Sequence, residues 1–158
     1  MLKKYQIVGI DEVGRGPIAG PIVSVAIALD ELYIPSFIND SKKMTKIQRE
    51  KIYNYVKDMG IQYGIGYCSS QEIDQLNIHQ ANLVCMERAY ENLKVQNCKV
   101  YVDGVFIPNI EDEVFAIKSG DKLIPIISLA SVIAKVERDN LMESIHKEFP
   151  MYGFDSNK

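Results

Sequence analysis

The 158 residues carry 18 Lys and Arg against 21 Asp and Glu, a formal net charge of −3, and 47% of them are hydrophobic. That balance excludes a disordered chain and gives one domain, residues 1–158, able to bury about 70% of the surface its unfolded chain exposes. It also lacks the basic excess usual in nucleic-acid binders, so any such role must come from a local arrangement of charge. The longest uncharged run, Gly16 to Leu29, is broken by Pro17, Gly20 and Pro21 and falls short of the ~20 residues of a membrane span. Lys3 and Lys4 precede an apolar run that Asp11 ends too early for a signal peptide, so no membrane and a cytoplasmic location are expected. Cys68, Cys85 and Cys98 form no Cys-x-x-Cys pair and have only His79 and His146 to help, which points to reduced, packed thiols rather than zinc.

In chain order, Gln6 to Ile10 reads as a strand that stops at Asp11-Glu12 and a Gly14-Arg15-Gly16-Pro17 turn. Ile22 to Leu29 reads as a second strand, antiparallel to the first, and Asp30 to Asn39 as a loop leading into Asp40-Ser41-Lys42-Lys43. Thr45 and Gln48 make a capping box for a helix with Met44, Ile47, Ile52, Tyr55, Val56 and Met59 on one face and Gly60 at its stop. Ile61, Tyr63, Ile65 and Tyr67 alternate as in a half-exposed strand. Ser69 and Glu72 cap a second helix with the stripe Ile78, Ala81, Cys85, Ala89 and Leu93. Val100 to Val102 is a short strand running into Asp103-Gly104, and Val114 to Ile117 another, leading to Lys118-Ser119-Gly120-Asp121. A long helix from about Ile127 to Phe149 turns Val132, Ile133, Val136, Leu141 and Ile145 inward until Pro150. The sum is an α/β domain with a mixed sheet, antiparallel first and parallel later, with helices as crossovers.

The chemistry lies at the strand ends. Three strands deliver acid, at Asp11-Glu12, Asp103 and Asp121, and four clustered carboxylates could not all stay ionised without cations. Oxygen donors with no His or Cys nearby suit Mg²⁺ or Mn²⁺, and two such ions ~4 Å apart are the apparatus of in-line phosphodiester cleavage. Arg15, Lys42, Lys43, Lys118, Lys122, Lys135 and Arg138 surround these acids, and phosphates would be their natural partner.

Gly9-Ile10-Asp11-Glu12-Val13-Gly14-Arg15-Gly16-Pro17, Asp40-Ser41-Lys42-Lys43, Val102-Asp103-Gly104, Gly120-Asp121 and the block from Ala130 to Asp139 together resemble the ordered motif set of bacterial type 2 ribonuclease H, ribonuclease HII. The resemblance implies a ribonuclease H-like fold, a cytoplasmic location and divalent-metal hydrolysis of RNA in RNA–DNA hybrids or at ribonucleotides embedded in duplex DNA; a monomer using two Mg²⁺ or Mn²⁺ ions is expected. It carries the catalytic and metal-binding roles to Asp11, Glu12, Asp103 and Asp121, and the grip on the RNA-to-DNA junction to Gly14, Arg15 and Gly16. Lys42, Lys43, Asn77, Gln80, Ser131 and Lys135 are further candidate substrate contacts. Asn77 and Gln80 also read as helix caps, and the Ser131–Lys135 pair as packing. Ser119 stands where the family commonly has Lys, and Asn157-Lys158 where it tends to have His-Lys. Relatives also continue past this chain's last residue with a Gly-Tyr segment whose tyrosine stacks on the junction sugar, a role not carried over to Tyr152. The 158-residue form is therefore expected to fold but to cleave slowly, and a hybrid-binding domain with little turnover is the alternative reading.

Overall fold

A computed structural model describes residues 6–14, 20–30 and 43–148. Arg15 and Gly16 of the glycine turn, most of the expected loop after Asp30, Lys42, and everything from Phe149 onward lie outside the described residues. The elements are β1 (Gln6–Val13), β2 (Ile22–Asp30), α1 (Lys46–Asp58), β3 (Tyr63–Cys68), α2 (Ser70–Leu93), β4 (Lys99–Asp103), β5 (Glu113–Ile117), α3 (Gly120–Leu123) and α4 (Pro125–Glu148). They build a five-stranded sheet in the order β3-β2-β1-β4-β5. The mixed sheet expected from sequence is present: β1–β2 and β2–β3 are antiparallel, and β1–β4 and β4–β5 are parallel. Among the described helices none is long and apolar enough to cross a membrane.

Alternation along β1 divides the core. Ile7 joins the cluster formed with α1 and α4, whereas Val8 and Ile10 join the cluster around Met86 and Ala89 of α2. β2 contributes to both faces and is buried along nearly its whole length, which is why its sequence reads as an unbroken apolar run.

The α1 capping box at Thr45 and Gln48 forms as expected. The apolar face is narrower than expected, because only Ile52 and Val56 are buried in α1 while Ile47 and Met59 are more than half exposed. In β3 the expected half-exposed strand inverts its emphasis. Gly64, Gly66 and Cys68 form the fully buried side, and the tyrosines and isoleucines are half-buried or exposed. A Cβ added at Gly66 would lie 2.2 Å from the Cys85 carbonyl oxygen, so the missing side chain is what seats α2 on the sheet. The thiols of Cys68 and Cys85 donate to the Ala81 and Gly66 carbonyls, and all three cysteines are free and buried.

Helix α2 crosses from β3 to β4 as a crossover should, but β4 reaches β5 through residues 104–112 with no helix. The expected α2 stripe holds from Ala81 to Leu93 and fails at Ile78, which is 37% exposed. The cause is Asn77, whose φ of 66° and ψ of 164° break the helix just before it. In α4, Val132, Ile133 and Val136 are buried as expected, and Met142 takes the deeply buried place, with Leu141 and Ile145 only half-buried.

Candidate metal centre

β1 and β4 run parallel with Ile10 opposite Val102, so the next step of each strand places Asp11 beside Asp103. β1 does not stop at its acids. It continues to Val13 because β2 pairs with it throughout, Asp11 opposite Val25 and Glu12 opposite Ser24, while on its other side β4 ends at Asp103. Asp11 and Glu12 therefore sit inside the central strand, level with and just past the point where β4 ends at Asp103, which opens a notch in the sheet. One ligand oxygen from each of Asp11, Glu12 and Asp103 lies within 4.8 Å of the others.

Backbone and hydroxyl donors hold this group. The Glu12 amide donates to Asp11 Oδ1 at 2.8 Å, and the buried Ser24 hydroxyl donates to the Asp11 carbonyl at 3.0 Å. Asp121 is 7% exposed, and its amide donates to Asp103 Oδ1 at 3.3 Å. The Asp121 carbonyl accepts from the Ser128 hydroxyl of α4. Asp121 is not itself at a strand end as expected. β5 finishes at Ile117, Ser119 turns the chain with φ 56° and ψ 35°, and Asp121 rides on the short α3 that follows. Its carboxylate stands outside the group of three that share the 4.8 Å limit.

Burial first, and then the charges of Glu12 and Asp103, push the Asp11 carboxyl well above the ordinary carboxylate range. A site that resists ionisation in this way gains most from a divalent cation, and its donors are all carboxylate oxygens, the ligand type hard ions prefer. The residues present fit Mg²⁺ or Mn²⁺.

The remaining sequence candidates are dispersed around this centre. Gly14 has φ +105°, and an added Cβ would lie 2.6 Å from Arg138 Nε and 2.7 Å from the Pro21 carbonyl oxygen. Arg138 was expected among the phosphate-facing cations, but it is 1% exposed and its Nε donates to the Pro21 carbonyl at 3.3 Å. Lys43, Lys118 and Lys122 are exposed. Asn77 does cap a helix: its Oδ1 accepts from the Gln80 amide at 3.0 Å, restarting α2 after the break. Ser131 is 3% exposed and accepts from Lys135 Nζ at 3.2 Å. Ser24 and Ser128 were not singled out from sequence. Their signal was available, as Ser24 is the lone polar residue between Ile22 and Leu29 and Ser128 lies in an otherwise apolar helix start.

The strand order, the helices on both faces and the carboxylates at the carboxyl edge of the central strand define a ribonuclease H-like fold. Solved structures agree: ribonuclease H2 from Pyrococcus horikoshii superposes with a TM-score of 0.79 at 29% identity, over 91% of this chain and 77% of that one. Ribonuclease HII from Archaeoglobus fulgidus, solved in complex with PCNA, gives 0.77 at 26% identity over 91% and 78%. The family model for Ribonuclease HII matches residues 8–158. Ribonuclease HII of Delftia acidovorans is 43% identical over 152 residues, which is 96% of this chain, and the chain spans 65% of that relative's length. The chain belongs to the ribonuclease HII family.

Proposed function

We propose that residues 1–158 act as a single catalytic domain that hydrolyses the RNA strand of RNA–DNA hybrids and cuts at ribonucleotides embedded in duplex DNA, leaving 5′-phosphate and 3′-hydroxyl ends. The observation that carries this reading is the convergence of Asp11, Glu12 and Asp103 within 4.8 Å, with Asp121 hydrogen-bonded to Asp103 through its amide. Asp11, Glu12 and Asp103, with Asp121 beside them, would hold two Mg²⁺ or Mn²⁺ ions, whose positive charge would make water a better nucleophile and offset charge on the departing 3′-oxygen.

The chain's own part is placement. Asp11 and Asp103 approach from two adjacent parallel strands, so their separation is fixed by the sheet rather than by loop conformation. Ser24 and Ser128 anchor the backbone carbonyls of Asp11 and Asp121, which fixes the backbone that carries those two carboxylates. Gly14, at φ +105° and packed against Arg138 and Pro21, opens the Gly14-Arg15-Gly16 turn, the candidate contact to a ribose whose 2′-hydroxyl both donates and accepts and so separates RNA from DNA. The exposed Lys43, Lys118 and Lys122 are suited to phosphate contact, with Arg15 and Lys42 as further candidates, in keeping with a substrate recognised by backbone more than by sequence.

The test is cleavage of a duplex carrying one ribonucleotide, with Mg²⁺, Mn²⁺ or EDTA. Metal-dependent cutting with a 5′-phosphate product is expected. Undiminished cutting in EDTA would sink the metal assignment, and no cutting with either metal would sink the catalytic one.

A further inference from the structure

The segment between β4 and β5 begins one residue after Asp103 and does something a soluble surface rarely does. Val105, Phe106 and Ile107 are consecutive and 62%, 56% and 60% exposed. They are not a loose tip. The Gly104 amide donates to the Ile117 carbonyl at 3.0 Å on one side, and on the other the Asn109 amide donates to Glu87 at 3.1 Å while Pro108 is buried. Ile110 packs into the α2-side core. The backbone is thus pinned at both ends while three large apolar side chains are held outward. Phe106 meets His79 edge to face, centroids 4.3 Å apart at 74°, and Ile78 beside it is 37% exposed because Asn77 breaks the helix there. A contiguous exposed patch of this kind marks a binding surface, where scattered single residues would not.

Topology places the patch. β3 is antiparallel to β2, and β2 to β1, so β3 ends and α2 begins at the same sheet edge as Asp11, Glu12 and Asp103. Glu12 lies on the same face of β1 as Val8 and Ile10, the α2 side, where this patch borders the notch. No Lys or Arg occurs between Gly104 and Glu113, or between Ser70 and Glu87, so phosphate is not what this surface attracts. Apolar side chains such as Phe and Ile, entering the minor groove at base steps, are a known way for proteins to engage a duplex without phosphate contact.

We propose that Phe106, supported by His79 and flanked by Val105, Ile107 and Ile78, forms an apolar subsite that packs against the minor-groove sugar and base edges of the duplex next to the scissile phosphate. This rests on the nuclease reading above and extends it to a contact that is independent of phosphate charge. Its signature is a binding loss without a change in salt dependence, because only phosphate contacts release counterions.

The experiment measures binding of a one-ribonucleotide duplex by fluorescence anisotropy in Ca²⁺, under conditions where no cutting is detected, for the unaltered chain, Phe106→Ser, Phe106→Tyr and the triple Val105→Ser/Phe106→Ser/Ile107→Ser. Phe106→Ser should weaken binding by roughly 10-fold and the triple by more, with Phe106→Tyr restoring it. The salt slope and melting temperature should stay as in the unaltered chain. Unaltered affinity in the triple variant overturns the proposal. A salt slope shallower by about one unit also overturns it, since the contact would then be to phosphate. So does a dimer in sedimentation that the triple variant dissolves, because the patch would then be a self-interface. An unaltered chain that binds but never cuts refutes the catalytic reading while leaving the affinity comparison to judge the patch.

Discussion

The sheet carries acid at both ends, and the two ends treat it in opposite ways. At the carboxyl edge of β1 and β4, three carboxylates point at one another within 4.8 Å. At the other end, around a crevice of ≈ 610 Å³ lined by Glu87, Glu91, Glu111 and Asp112 among others, Asp112 and Glu87 meet neutral donors instead. Asp112 accepts from the Tyr90 hydroxyl and from the Asn97 amide at 3.2 Å, and Glu87 from the Asn109 amide. Acid content is similar, so it does not distinguish the ends. The difference is convergence: charges that face each other demand a cation, and charges that face donors are already satisfied.

The largest way to break that contrast is to neutralise one acid at each end. Asp103→Asn should lower cleavage by more than about 100-fold while raising the metal-free melting temperature by ~2–4 °C, as relief of repulsion worth about 1 kcal/mol would. Asp112→Asn should leave cleavage as it is and lower the melting temperature. Equal activity in the two variants, assayed side by side, would erase the distinction.

The upper end also depends on how α4 is seated. A Cβ added at Gly9 would lie 2.4 Å from the Ile126 carbonyl oxygen, backbone that cannot swing aside, so Gly9→Ala must push α4 off β1. A loss of about 2–3 kcal/mol in urea unfolding is expected, with slower cleavage because Asp121 and Ser128 move with the helix. Full activity in a clearly destabilised Gly9→Ala protein would mean that the site tolerates displacement of α4.

A titration sharpens the same contrast. Asp11 holds its proton more tightly folded than unfolded, where its ordinary value is 3.8, so the folded state binds more protons over that window. Metal-free stability should therefore fall as pH rises from about 4 toward the raised value, and the slope should shrink in Asp11→Asn and in saturating Mg²⁺. Melting in EDTA across that range decides it, and a slope identical in Asp11→Asn would remove Asp11 as the cause.

Much of this was legible in the chain. Strand and helix existence followed from period and capping chemistry, because Thr45–Gln48 and Ser69–Glu72 fix helix starts by local hydrogen bonds that need no tertiary context. Asp11, Glu12 and Asp103 stood out because apolar runs led straight into them, whereas Asp121 follows Lys118-Ser119-Gly120 on a short helix. What failed depended on tertiary partners. Whether β1 ends at Ile10 or Val13 is decided by the length of β2, and which face of β3 is buried is decided by α2 pressing on two glycines. Arg138 read as a phosphate ligand since its type says so, yet burial against Pro21 decided otherwise.

The smallest effect belongs to the quiet end. Tyr90 reaches Asp112 from α2, and burial together with that hydrogen bond pushes the phenol well above its usual range, which favours the hydroxyl as a donor. Tyr90→Phe keeps the ring and removes the donor, and about 1 kcal/mol of stability should go with it. In Asp112→Asn the same tyrosine loses a charged acceptor, so the two changes should be less than additive in a double-mutant cycle. Cleavage should not respond to either, because the crevice is lined by residues 94–97 and 109–112, which come before β4 and β5 begin, whereas Asp103 stands at the end of β4. Additive losses would show that the pair does not interact, and a fall in single-turnover rate in Tyr90→Phe would show that the two ends of the sheet are coupled after all.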